Sequence, residues 1–110
     1  MAEIMDIKSS EIGFKTVEKF LDNIVNNDEY VVKNKYFDDY YIKNLEIDFV
    51  ISCGDFEDNR VLTISRPGHI KFRIRLSKEE YNIIKVYFDK INHKLREYTK
   101  DYYLNEIINV

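Results

Sequence analysis

From Leu45 onward apolar and polar residues alternate with period two. Leu45, Ile47, Phe49, Ile51 and Cys53 fall on one side, and Glu46, Asp48, Val50 and Ser52 on the other, as in a strand with one buried face. The polar run Gly54 to Asn59 predicts a loop, and Arg60 to Ser65 a second strand. Arg66-Pro67-Gly68-His69 predicts a turn, because proline presets φ and glycine accepts positive φ. A third strand runs from Ile70 to Leu76, with Ile70, Phe72, Ile74 and Leu76 on one face and Lys71, Arg73 and Arg75 on the other.

At Ser77 the period changes from two to 3.5. Ser77-Lys78-Glu79-Glu80 is a capping box: the serine caps the first turn and the glutamate three residues on reaches back. Tyr81, Ile84, Phe88, Ile91, Leu95, Tyr98 and Tyr102 then recur at alternating spacings of three and four, a heptad-like stripe. A helix over 78–108 would be about 45 Å long, more than a compact domain of this size accommodates. Either it breaks near Thr99-Lys100-Asp101, or its far half packs on another chain.

Nearer the start, Ile12, Phe14, Val17, Phe20, Leu21, Ile24 and Val25 predict an amphipathic helix. Ser9 or Ser10 is placed to cap it, and Asn26-Asn27-Asp28 to end it. Glu29 to Val32 reads as a strand and Asp38-Asp39 as a turn, although the Tyr and Phe residues around that turn also fit a short helix. The expected fold is α+β in a single domain, 1–110: an N-terminal helix, an antiparallel meander of three or four strands and a long C-terminal helix. Residues 100–110 are its candidate interface extension.

Composition narrows the function. With 110 residues, 45% of them hydrophobic and 15% aromatic, the chain suffices for one core. The single Cys53 cannot form an internal disulfide and fits a reducing compartment. The acidic start lacks the features of a signal peptide, and no apolar run approaches a membrane span. The protein is expected to be cytoplasmic, with no membrane contact.

The net charge of −3 conceals a segregation. Residues 1–59 hold 14 acids and 6 bases, whereas residues 60–78 hold six bases and no acid. With Pro67 and Gly68 as a two-residue loop, Arg60 faces Arg75, and Arg60, Arg66, Lys71, Arg73 and Arg75 share a face with Leu62 and Ile64. Arginine with flat apolar side chains suits phosphate contacts and base packing. The plainer reading is a solvated sheet face neutralised by Glu46 and Asp48 on the neighbouring strand.

The acids Asp38, Asp39, Glu46, Asp48, Asp55, Glu57 and Asp58 read as a solubilising surface, or as one that occupies a partner's basic groove. Asp55-x-Glu57-x-Asn59 is not a calcium loop, because Arg60 stands where glycine is needed and Arg66 where glutamate is. His69, His93 and Cys53 lack partners at ligand spacing, and no glycine-rich phosphate loop is present. No catalytic residue, metal or cofactor is expected. The distal helix residues Leu95, Tyr98, Tyr102, Leu104, Ile107 and Ile108 pack within the chain or form a partner or homodimer interface.

The run from Phe72 to Lys85, a strand feeding a capped helix, resembles the end of coactivator-type single-stranded-DNA-binding domains, which close with a dimerising helix. It is also similar to the strand and first helix of ribbon-helix-helix repressors, in which outward strand residues read DNA. In style, small, Tyr-rich and without a catalytic signature, the chain resembles phage and plasmid inhibitors such as anti-CRISPR proteins. The sequence thus leads to a non-enzymatic module that contacts nucleic acid or a nucleoprotein through the basic hairpin. The alternative is a protein-binding inhibitor of the mobile-element type, using the acidic surface or the Tyr-rich helix.

Overall fold

A computed structural model describes residues 4–44, 46–56, 59–66 and 71–108. In chain order the elements are β1 (Ile4–Lys8), α1 (Ser9–Ile12), α2 (Phe14–Asn26), β2 (Val31–Tyr36), β3 (Asp39–Lys43), β4 (Asp48–Phe56), β5 (Asn59–Ser65), β6 (Lys71–Leu76) and α3 (Lys78–Ile108). The strands form one sheet in the order β1-β6-β5-β4-β3-β2. The class is α+β as expected, but the meander is larger than expected and the sheet is mixed. β2 to β6 run antiparallel in sequence order, and β1 joins β6 in parallel. β1 is short, with Met5 and Ile7 turned towards the helices beside Phe72 and Ile74. Three residues of such alternation are too few to read as a strand in isolation.

One face of the sheet packs against α2 and α3. Val32, Tyr40, Ile42, Phe49, Ile51, Leu62, Ile74 and Leu76 meet Val17, Leu21 and Ile24 of α2 and Ile84 and Ile91 of α3. The predicted N-terminal helix is divided at Gly13, whose φ of 83° strains any side-chain-bearing residue. Beyond it, Val17, Leu21 and Ile24 recur at helical spacing and are buried. The helix ends at Asn26, as expected, but its cap, Asn27, is extended rather than left-handed. Lys94 of α3 supplies what the cap does not: its Nζ donates to the carbonyls of Ile24 at 2.6 Å and Asn27 at 2.9 Å. A cation there also complements the negative end of the helix dipole. Burial lowers the Lys94 pKa, and Asp28 opposes that shift.

The segment 29–43 is a hairpin, not a short helix, and it turns at Phe37-Asp38 between β2 and β3. β4 and β5 reach Phe56 and Asn59, so Gly54 and Asp55, expected in a loop, are strand residues. Leu45, Glu57, Asp58, the Pro67-Gly68-His69 part of the predicted turn and Ile70, expected to open the third strand, lie outside the described residues. α3 does not break near Thr99; it is continuous over 31 residues, and the molecule measures 50 × 32 × 25 Å. β6 is an interior strand feeding one long helix, unlike the strand and paired short helices of a ribbon-helix-helix repressor. Among the described residues, no helix is long and apolar enough to cross a membrane.

The capping box at Ser77 is present and extended. The Ser77 N–H donates to Glu80 Oε1 at 2.8 Å, and the Glu80 N–H donates to Ser77 Oγ at 3.2 Å. The buried Ser9 at the β1–α1 junction donates its hydroxyl to the same Oε1 at 2.7 Å. Burial works to raise the Glu80 pKa, but the hydrogen bonds from the Ser77 backbone, Ser9 and the Ser77 hydroxyl outweigh it and hold the carboxyl below its ordinary value. Glu80→Ala is expected to cost about 1–2 kcal/mol in urea unfolding at neutral pH. Because the folded pKa is depressed, this contribution is present above the ordinary carboxylate range and lost as pH falls through the folded value. The gap between wild type and variant therefore narrows on acidification; a gap that stays constant or widens contradicts this account of the joint.

Candidate nucleic-acid interface

The face of the sheet away from the helices carries no covering layer among the described residues. Since Ile74 and Leu76 face the helices, alternation turns Lys71, Arg73 and Arg75 outward. The parallel neighbour β1 sets Ile4 beside Lys71, Asp6 beside Arg73 and Lys8 beside Arg75. On the other flank, β5 sets Ser65, Thr63 and Val61 beside the same three cations. Beyond it lie Val50, Ser52 and Gly54 of β4, then Asp39 and the exposed Tyr41 of β3. Four cations thus border a lane of small aliphatic and hydroxyl side chains. A depression of about 300 Å³ lies among Asp6, Asn59, Val61, Thr63, Arg73 and Arg75.

Arg73 and Arg75 are exposed and Lys71 half-buried. Among the described residues none of the three belongs to an ion pair, although Asp6 is adjacent to Arg73 in register. Glu46 and Asp48 do not neutralise them, because β5 lies between β4 and β6. Asp48 instead lies 4.0 Å from Lys33 and faces Lys43 across β3, while Glu46 precedes β4 and donates its N–H to Asn44 Oδ1.

Two of the five predicted cations belong elsewhere. The observed register sets Arg60 opposite Leu76 and Val61 opposite Arg75, one residue from that of a two-residue Pro-Gly loop. A one-residue slip exchanges the faces of a strand. Here it moves Leu62 and Ile64 to the core side, where Leu62 packs with no exposed surface, and carries Arg60 and Arg66 with them. Arg60 Nε lies 3.9 Å from Asp55 Oδ2. Arg66 lines an apolar cavity of about 350 Å³ together with Phe20, Tyr30, Phe49 and Phe72. Sequence reading missed Lys8, Thr63 and Ser65 as members of the bare face. Lys8 was recoverable only from the Met5/Ile7 alternation, and the two hydroxyls only from the correct register.

In the distal helix, Leu95 packs against the core, whereas Tyr98, Tyr102, Leu104, Ile107 and Ile108 are exposed. His93 is on the helix surface, 4.0 Å from Glu97, and His69 lies outside the described residues. No group of three His, Cys, Asp or Glu side chains able to hold a metal occurs among the described residues. No known protein family, curated protein or solved structure matches the chain.

Cys53 lies on the core side of β4, half-buried. Burial pushes its thiol up to about 12, with Lys85 opposing and Asp55 assisting, the reverse of what a nucleophile needs. In native protein near pH 8, alkylation by iodoacetamide is expected to be many-fold slower than in urea-unfolded chain. Raising the pH above the ordinary thiol range ionises only the unfolded form, so native stability declines from there towards pH 12. Equal alkylation of native and unfolded chains contradicts the burial of this thiol.

Proposed function

We propose that the chain is a non-enzymatic module that binds single-stranded nucleic acid across the bare face of its sheet. The observation that carries this reading is the grouping of Lys71, Arg73, Arg75 and Lys8 on two adjacent strands of that face, beside Val61, Thr63 and Ser65. Side chains two apart on a strand are about 6.6 Å apart, which gives a row of cations for a phosphate backbone. The neighbouring lane of small side chains and the exposed Tyr41 offers bases a flat surface and an aromatic ring to stack on. Six strands make a face about 24 Å wide, roughly twice the width of the major groove. Such a face cannot enter a duplex and suits an unpaired strand. The lone, half-buried thiol of Cys53 fits a reducing compartment, in keeping with a cytoplasmic location.

In fluorescence anisotropy with labelled single-stranded DNA and RNA, affinity is expected to fall with salt, with a log–log slope of roughly −2 to −3 for three or four phosphate contacts. Arg73→Glu with Arg75→Glu abolishes binding, and Arg96→Glu, on the outer surface of α3, leaves it unchanged. Absent or salt-independent binding to both nucleic acids overturns the reading.

A second reading has its own support. Phe37, at the β2–β3 turn, is 79% exposed and has a φ of 56°, a conformation that is costly for a bulky residue. Its ring stacks edge-on with the exposed Tyr36 at 4.5 Å, next to Asp38 and Asp39. Strain retained at a solvent-exposed aromatic tip suits a protein-binding inhibitor that inserts this tip into a partner, a different surface from the acidic face or Tyr-rich helix that the sequence suggested for such an inhibitor. Under this reading, Phe37→Gly stabilises the free protein by about 1 kcal/mol while abolishing whatever inhibition or complex formation the wild type shows. A destabilised Phe37→Gly variant contradicts the strain argument.

A further inference from the structure

The register that turns Arg66 to the helical side of the sheet sets it at an apolar cavity of about 350 Å³. The cavity lies over one end of β4, β5 and β6. Ile64 and Phe72, paired across β5 and β6, form its floor together with Phe49 of β4, the residue before Val50, which pairs with Ser65. Phe20 of α2 forms one wall, and Tyr30 and Ile47, from the connections that lead into β2 and β4, form another.

The walls are held in place without any ligand. Asn44 Oδ1 accepts the N–H groups of Glu46 at 2.9 Å and Ile47 at 2.8 Å, and the Asn44 N–H donates to the Ile47 carbonyl at 3.0 Å. The Tyr30 N–H donates at 3.0 Å to the Asn27 carbonyl, which Lys94 also holds. A preformed cavity spends little binding energy on ordering its own side chains, and this one stands at the small end of the roughly 300–1,000 Å³ range of ligand pockets. Its rings suit an aromatic guest. Phe20 is tilted 45° to Phe49 at 5.7 Å between centroids, and Tyr30 meets Phe49 edge-on at 6.2 Å. Phe72 lines the cavity from β6 and is half-buried. A ring entering among them meets both faces and edges, which adds to the gain from burying apolar area.

Charge selects the polar end of the guest. Arg66 is exposed and, among the described residues, belongs to no ion pair. None of the described residues lining the cavity is acidic. Aromatic rings alone would attract a cation; the Arg66 guanidinium reverses that preference and offers a carboxylate two parallel hydrogen bonds. We propose that this cavity binds a small aromatic carboxylate, with the ring among Phe20, Tyr30, Phe49 and Phe72 and the carboxylate on Arg66. These side chains lie on the opposite side of the sheet from Lys71, Arg73 and Arg75, so the site does not depend on the proposed nucleic-acid binding.

Isothermal titration calorimetry with phenylpropionate tests the proposal, with phenylpropanol and phenylpropylamine as its uncharged and cationic counterparts. The acid is expected to bind at least about tenfold more tightly than the alcohol, and the amine not to bind. Arg66→Gln lowers the affinity for the acid to that for the alcohol and leaves the alcohol unchanged. Ile47→Trp, which fills the cavity, abolishes binding of both while a cooperative circular-dichroism melt shows the chain folded. Arg73→Glu with Arg75→Glu changes neither. No binding of the acid up to millimolar concentration overturns the site. Equal affinity for acid and alcohol, or full affinity for the acid in Arg66→Gln, overturns the role of Arg66. Loss of acid binding in the Arg73 and Arg75 double variant places the anion on the basic face and overturns the proposal, and tighter binding of hexanoate than of phenylpropionate overturns the aromatic guest.

Discussion

Much of this architecture depends on the Glu80 carboxylate. One of its oxygens accepts hydrogen bonds from the Ser77 backbone and from the Ser9 hydroxyl. Ser77 is where β6 becomes α3, and Ser9 is where β1 becomes α1. β1 and β6 are parallel neighbours, so both strands end at the same edge of the sheet and both lead into helices there. Joining the two exits through one anion starts both helical segments at the same edge. The helical layer that follows covers one face of the sheet and leaves the other bare.

That asymmetry decides which residues have chemistry to offer. On the covered face, parity places Phe49, Ile51, Leu62, Ile74 and Leu76 in a core closed by Leu21, Ile24, Ile84 and Ile91. On the bare face the same alternation leaves Lys71, Arg73 and Arg75 outward, with Lys8 beside them. The face of every strand residue follows from the register, so the basic surface and the apolar core are two consequences of a single choice. Burial of Leu62 drives that choice, because the alternative register would place Leu62 and Ile64 in water and turn Val61, Thr63 and Ser65 to the core in their place.

α3 serves two regions with different demands. Its first half supplies Ile84 and Ile91 to the core, Lys94 to the end of α2, and Asn92, which accepts a 3.1 Å hydrogen bond from Tyr40. Its last turns are exposed, and Tyr103, Leu104, Ile107 and Ile108 lie along one side of them. The heptad-like stripe runs through both halves without a break, so the transition from packing helix to projecting helix is set by where the sheet ends and not by a change in sequence pattern.

By itself the sequence determined the capped joint at Ser77 and Glu80, the helix that follows it, the strands around β4, β5 and β6, and the outward direction of Lys71, Arg73 and Arg75, but not whether that helix runs unbroken past Thr99. These follow from spacings of two, three and four residues, and from hydrogen bonds between groups close in the chain. It did not determine β1, the partner of β6, the division of the first helix at Gly13, or the positions of Arg60 and Arg66. β1 becomes a strand only because β6 offers it an edge, and Ser9 meets Glu80 across 71 residues of chain. Arg60 and Arg66 turned on a register that local turn chemistry favoured by one residue and core burial decided otherwise. Pairing between distant segments is settled by the surface that the whole sheet buries, and only the tertiary structure contains that information.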